Sequence, residues 1–437
     1  MNYGQQELPF SMQIERDSKG KIIRKIERVR GREPRPLAYT YDEGGRLTGV
    51  DTALGQIETY LYENGLRVEA QSVEPQFAYV RFAYTTDDKG DVRLANLGGS
   101  KGRAMVEHDD AGHRILVERR AASEHYRYAD GRLLAMRREV RGEPPLVVEY
   151  AHDGQGGRAA KYVNGQLAEM YEWADALRLA RVRTGRADME FGYRENARIP
   201  FAMSLNGRTL YLFYDQVGSP RVVADERGNV VQETRYDSFG RVVESSGALT
   251  DAGITLPIGF AGGLYDPDLG QCGYVRFGLR DYDPFTGRFT AKDPLGYAAG
   301  DDDLYGYCLD DPVNAVDPTG MQSLEYDGNY LKWYDAEGKE TDAWNATSGP
   351  FGNGALPDGN YTGWNFRTRT KNGMVCPDGD GWSVDIEPEE ENGRTELRIH
   401  PDGGKKKGTM GCIGIQCGES SSAREKLEEH LKENKTI

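Results

Sequence analysis

The feature that most constrains this chain is a repeat. An aromatic, any residue, a tyrosine, an acidic or polar residue, then glycine, arginine and an apolar residue recur along it. The unit stands as YTYDEGGRLTGV from Tyr39, YLYENGLRV from Tyr60 and YRYADGRLLAM from Tyr126, then as YDQVGSPRVVADERGNVV from Tyr214 and YDSFGRVVE from Tyr236. Each copy reads as two short alternating strands around an Asp- or Asn-Gly turn. An ordinary β-sheet protein also has glycine turns, but tyrosine before the turn and Gly-Arg after it mark a repeat. Spacing is irregular, and units between about 70 and 200 read as degenerate. The 55 glycines and 26 tyrosines suit many short strands better than a helical core. A length of 437 residues implies two or more domains.

The formal charge of −15 argues against a nucleic-acid partner, which would call for a basic footprint. No run is long enough for a membrane span, and MNYGQQELPF lacks a secretory leader pattern. Five scattered cysteines imply no disulfide framework and offer no metal-ligand spacing. Cys376 and Cys417 are equally compatible with a disulfide and with two thiols. No metal or cofactor is expected.

The repeats resemble the YD repeats of Rhs proteins. The stretch FGLRDYDPFTGRFTAKDPLGYAAGDDDLYGYCLDDPVNAVDPTGM from Phe277 is similar to the end of an Rhs core. The resemblance implies a β-shell enclosing a variable C-terminal toxin. It divides the chain into a shell segment, 1–276, a core-end autoproteolysis segment, 277–321, and a toxin domain, 322–437. Two Asp-Pro-x-Gly elements start at Asp293 and Asp317. Alone they read as surface turns; the resemblance makes Asp293 and Asp317 a protease dyad assisted by Arg280, cutting between Met321 and Gln322. Two carboxylates held close share a proton, so one activates water while the other protonates the leaving group. Complete Rhs shells are longer, so this chain is expected to be a fragment or to form a partial shell.

After Met321 the repeat stops and MQSLEYDGNYLKWYDAEGKETDAW opens a new strand pair. The end, SSSAREKLEEHLKENKTI, predicts a short helix. Ser422 and Glu425 suggest a capping box, and Ala423, Leu427 and Leu431 an apolar stripe. Between them, RIHPDGGKKKGTMGCIGIQC carries the chemistry. In RTELRIHP, Leu397 and Ile399 alternate with Arg398 and His400, so the strand buries the first pair and presents His400 on its other face. The turn at Thr409–Cys412 exposes a thiol, and N–H groups near Gly411 and Cys412 are placed to stabilise an oxyanion. An imidazole activates such a thiol, and His400 is its natural partner. An isolated pair of this kind is more often a structural cysteine and a surface histidine.

This segment resembles the YkuD-type L,D-transpeptidase motif, and more closely the L,D-transpeptidase effectors of type VI secretion. Thr409-Met410-Gly411-Cys412 fits Ser/Thr-x-Gly-Cys, His400 the upstream histidine, and ATSGPFGNGALPDGNY, with Ser348, a further segment of those effectors. Gly414 stands where many housekeeping relatives place an arginine. The expected fold is thus mainly β: a YD-repeat shell, then a small β-rich L,D-transpeptidase-like domain with a C-terminal helix. The expected activity is cysteine acyl transfer on peptidoglycan stem peptides in a target cell's periplasm, by carboxypeptidase or exchange chemistry. Lys405, Lys406 and Lys407 would meet stem carboxylates or form a solvated loop. A cognate immunity protein and type VI spike components are the implied partners, and a contact-dependent system the implied route of secretion. The rivals are another cysteine peptidase or amidase, disfavoured because His400 precedes Cys412, and a carbohydrate-binding tip using Trp333, Trp344, Trp364 and Trp382.

Overall fold

A computed structural model describes residues 8–18, 20–74, 78–129, 131–154, 156–175, 177–194, 197–293, 303–318, 324–326, 330–334, 340–348, 361–369, 376, 381–388, 397–402 and 412–434. The chain forms two compact units, one of 1–194, 199–292 and 303–320, the other of 195–198, 293–302 and 321–437. No helix among the described residues is long and apolar enough to cross a membrane.

The first unit is built on a meander of 22 strands, from Phe10–Arg16 to Val242–Ser246. Each strand pairs antiparallel with the next; the hairpins of Gly55–Glu63 with Leu66–Ser72 and of Ala122–Ala129 with Arg132–Val140 are typical. The stretch that reads as degenerate in sequence is as regular as the rest, because pairing depends on alternation and turns rather than on strict spacing.

The repeat residues each have a local job. In the Asp-x-x-Gly turns the aspartate accepts a hydrogen bond from the N–H four residues on: Arg46 N to Asp42 at 2.9 Å, His113 N to Asp109 at 2.8 Å, Arg241 N to Asp237 at 2.8 Å. Such an Asx contact fixes the loop that the next strand leaves. Asn64 and Gly65 both take positive φ, 51° and 81°, the conformation that a two-residue hairpin turn requires. A bulge precedes the tyrosine in several copies, between Thr40 and Tyr41, Leu61 and Tyr62, and Ala83 and Tyr84. By adding one residue it re-aims the tyrosine, whose hydroxyl then donates to a carbonyl of an earlier strand: Tyr41 to Ile22 at 2.7 Å, Tyr62 to Leu47 at 2.8 Å, Tyr84 to Arg67 at 2.6 Å.

The buried face of this sheet is mainly apolar but carries a set of buried charges. Alongside Leu47, Leu133, Met136 and Val182 it buries Arg67, Arg114, Arg158 and Lys161. Their partners come from the segment 260–292, which with 303–318 belongs to this unit and adds a four-stranded sheet from Leu264 to Phe289. Arg114 pairs with Asp283 at 2.7 Å, Arg158 with Asp281 at 2.7 Å and Lys161 with Asp266 at 2.6 Å. Arg67 donates to the Gly287 carbonyl at 3.0 Å and stacks on Phe239. An aromatic cluster of Phe260, Phe277, Tyr282, Phe289 and Tyr307 fills the space between. The first hairpin in turn meets later strands: Phe10 and Val29 pack on Val222, and Arg30 donates to the Gly228 carbonyl at 2.6 Å.

The second unit is a seven-stranded sheet. Its order is Leu324–Tyr326, Tyr330–Tyr334, Glu340–Thr347, Ile413–Ile415, Leu397–Pro401, Trp382–Pro388, Tyr361–Thr368. One face packs Trp344, Trp382, Val384, Ile386, Leu397, Ile399, Ile413 and Ile415 with Ala423 and Leu427 of a C-terminal helix, Ser420–Asn434. That helix starts earlier than the proposed capping box at Ser422. Glu419 is the residue at its start, its carbonyl accepting the first bond from Ala423 N at 3.2 Å, and its carboxylate takes the Asn345 amide at 2.7 Å. Ser420 and Ser422 accept from the indoles of Trp382 (2.9 Å) and Trp344 (3.3 Å), which locks the helix to the core. Leu431's side chain lies outside the described residues.

Candidate functional site

The strands Leu397–Pro401 and Ile413–Ile415 run parallel, the one parallel pairing of this sheet among the described residues. Ile399 stands opposite Ile413 and His400 opposite Gly414. Side chains alternate along a strand, so the isoleucines enter the core while His400 and Gly414 share the other face. Cys412, half-buried, immediately precedes the second strand, two residues from Gly414. Cys412 is thus two residues along the chain from Gly414, the residue opposite His400. Thr347 extends this row on the far side, opposite Gly414, and its hydroxyl is buried with no hydrogen-bond partner among the described residues.

The sequence expectation for His400 needs one correction. The imidazole is presented on the predicted face, yet it is buried, at 6% exposure. Burial, first of all, pulls its pKa down, keeping the ring neutral. His400 Nδ1 lies 2.8 Å from the Pro401 carbonyl oxygen. A carbonyl can only accept, so Nδ1 carries the proton and Nε2 keeps its lone pair. That tautomer is the one a base acting on a thiol needs.

Sequence reasoning missed a cationic group on the same face. Arg367 stands opposite Ser383, Arg369 N bonds the Gly381 carbonyl, and Asp385 stands opposite Arg398, two residues before His400. Asp385 takes both Arg367 and Arg398, the latter at 3.0 Å. Arg369 donates to Ser383 Oγ at 2.8 Å and has no carboxylate partner among the described residues. The period-two run of arginines in FRTRT and the Arg398–His400 alternation were the available signals.

Cys376 and Cys417 form a disulfide with Cα atoms 5.5 Å apart, which resolves the alternative the sequence left open. It ties the chain just beyond the Cys412 strand to a segment 41 residues earlier. Ser348 is half-buried directly after Thr347. Thr409, Gly411, Lys405, Lys406 and Lys407 lie outside the described residues, as do Met321 and Gln322. Of the residues assigned to self-cleavage, Arg280 and Asp317 are together, Nη2 to Oδ2 at 3.1 Å, and Arg280 stacks on Phe289 with its guanidinium 3.6 Å from the ring centroid. Asp293 is buried and belongs to the second unit. Trp344 and Trp382, candidates for sugar stacking, are core residues with 3% and 0% exposure, so neither offers a face to a ligand.

Comparison with known proteins identifies the architecture. A family profile described as the teneurin YD-shell matches residues 1–304. Teneurin-3 of Mus musculus is 27% identical over 278 residues, covering 59% of this chain and 10% of that protein. Double-stranded DNA deaminase toxin A of Burkholderia cenocepacia (strain H111) is 27% identical over 324 residues, covering 65% of this chain and 22% of that protein. The Photorhabdus luminescens Tc holotoxin pore matches 76% of this chain and 19% of its own at a TM-score of 0.46 and 15% identity. The chain thus spans about a tenth of the teneurins and under a quarter of the deaminase toxin. With the profile covering well over half of its length, and a meander of tyrosine-anchored hairpins beneath it, the chain belongs to the teneurin YD-shell family.

Proposed function

We propose that this chain is the shell and cargo of an Rhs-type antibacterial toxin, and that its C-terminal unit is a cysteine acyltransferase acting on peptidoglycan stem peptides. The observation that carries the reading is neutral, Nδ1-protonated His400 standing opposite Gly414, two residues along the chain from Cys412. In this reading His400 Nε2 takes the thiol proton, and Cys412 Sγ attacks the carbonyl between an L-centre and a terminal D-alanine. The amine departs with the proton, leaving a thioester. Water resolves it to a shortened stem, or an amine resolves it by exchange. Thr347's buried hydroxyl and the N–H of Cys412 are candidate donors to the oxyanion. The likeness to a toxin of Burkholderia cenocepacia supports a toxin role; contact-dependent secretion by a type VI spike and an immunity protein in the maker belong to the same proposal.

The test is directed expression of the full chain in a Gram-negative host, with and without a periplasmic leader. Toxicity confined to the periplasmic form, with loss of tetrapeptide stems and rescue by Cys412→Ala, is expected. Toxicity that survives Cys412→Ala, or unchanged muropeptides, overturns the reading.

Release by self-cleavage belongs to the same proposal. In this reading Asp317, which pairs with Arg280, and Asp293 are the two carboxylates of the dyad, one activating water while the other protonates the leaving group. Purified wild type is expected to run on a denaturing gel as two fragments, of about 320 and 116 residues by the cut after Met321. Asp317→Asn is expected to run as one chain. A folded wild type that stays whole would sink the dyad.

A further inference from the structure

The polar face of this sheet carries cations on strands other than Ile413–Ile415. Three guanidiniums, Arg367, Arg369 and Arg398, stand on this face with Asp385. Asp385 pairs with Arg367 and Arg398; among the described residues Arg369 is held by the neutral Ser383 hydroxyl and the backbone. The surplus of positive charge lies on the sheet face that His400 and Gly414 share. Thr347, whose buried hydroxyl has no hydrogen-bond partner among the described residues, stands opposite Gly414. Burial and repulsion from Arg367 and Arg398 lower the pKa of Arg369.

We infer that Arg369, flanked by Arg367 and Arg398, forms an anion subsite that holds a carboxylate of the peptide whose acyl group Cys412 takes. This rests on the proposed acyl-transfer chemistry. Guanidinium recognises carboxylate by paired N–H donors, which fixes orientation as well as charge. It makes the three arginines positioning residues for substrate and selects acidic peptides over neutral ones.

Two alkylating reagents of equal reach and different charge test the subsite on the full chain. Iodoacetate and iodoacetamide are applied separately, and modification of Cys412 and of Cys308 is followed by peptide mass spectrometry. The ratio of iodoacetate to iodoacetamide rates at Cys412 is expected to fall about fivefold in Arg369→Gln, the scale of a partly exposed ion pair. Arg369→Lys is expected to restore part of it, and Cys308 to be unaffected. An unchanged ratio in Arg369→Gln overturns the subsite. Cys412 reacting no faster than Cys308 with either reagent would instead undermine the acyl-transfer reading, and the ratio would still report on the subsite. Protection of Cys412 by a tetrapeptide stem and by its C-terminal amide then separates the carboxylates. Loss of protection on amidation assigns the terminal carboxylate, and retained protection assigns the side-chain carboxylates. Equal protection of wild type and Arg369→Gln by both peptides overturns the role of the subsite in substrate binding.

Discussion

Asp281→Asn is expected to cost the YD-shell about 3–5 kcal/mol, the penalty for leaving buried charge without its partner. Asp281 is 1% exposed in its side chain and serves two guanidiniums at once, Arg158 at 2.7 Å and Arg276 at 2.9 Å. Neither has much in reserve: Arg158 Nε and Arg276 Nη2 are already buried without a partner among the described residues. Burial, with repulsion from Arg158, also pulls the Arg276 pKa down. Asparagine keeps the shape and removes the charge, so the loss reads as electrostatics rather than as a cavity. Hydrogen exchange is the right measurement, since it follows the two units separately. Amide protection in Leu146–His152 and Arg158–Val163 is expected to fall about a hundredfold or more, at 1.4 kcal/mol per decade. The control is Glu139→Gln, which removes an exposed pair with Arg137 and is expected to change little. Protection that survives Asp281→Asn would mean the wall is held by its apolar contacts alone.

Breaking the Cys376–Cys417 link is the other large effect. A bridge spanning 41 residues constrains the unfolded chain by about 4 kcal/mol in the loop-entropy account, and 2–4 kcal/mol is the usual measured range. Four of the five tryptophans lie after Met321, and Trp344 and Trp382 are in the core of that unit, so indole emission reports its unfolding. Reductant is expected to lower the wild-type denaturation midpoint and to leave Cys417→Ser unmoved at the lower value. A wild-type midpoint indifferent to reductant would show that the bridge constrains nothing the fold needs. The link follows the Ile413–Ile415 strand by two residues, so its loss should be felt first beside Cys412.

What the sequence revealed was local. Asp42, Gly45 and Tyr41 act within one hairpin and its neighbour, so their pattern survives in a single sequence. The salt bridges of Arg158 and Arg114 reach 123 and 169 residues along the chain, and nothing local marks their partners. The strand parity of His400 was legible, but its burial was not, because covering the polar face depends on packing rather than on alternation. The helix cap was misplaced by three residues: Ser422 fits a capping pattern, yet Trp344 and Trp382 recruit Ser422 and Ser420 from within the helix, and Glu419 stands at its start. The arginines at 367, 369 and 398 became a group only when three strands were laid side by side.

The charged wall has a consequence in time. Arg158 leaves the ribosome 123 residues before Asp281, an interval of about 6–25 s at ordinary rates of synthesis. Through that interval the hairpins can pair with their neighbours, but Arg158 lacks the carboxylate it pairs with in the finished fold. The wall therefore cannot finish closing until the later aspartates arrive, and the last step of its assembly is set by translation rather than by the speed of β-pairing.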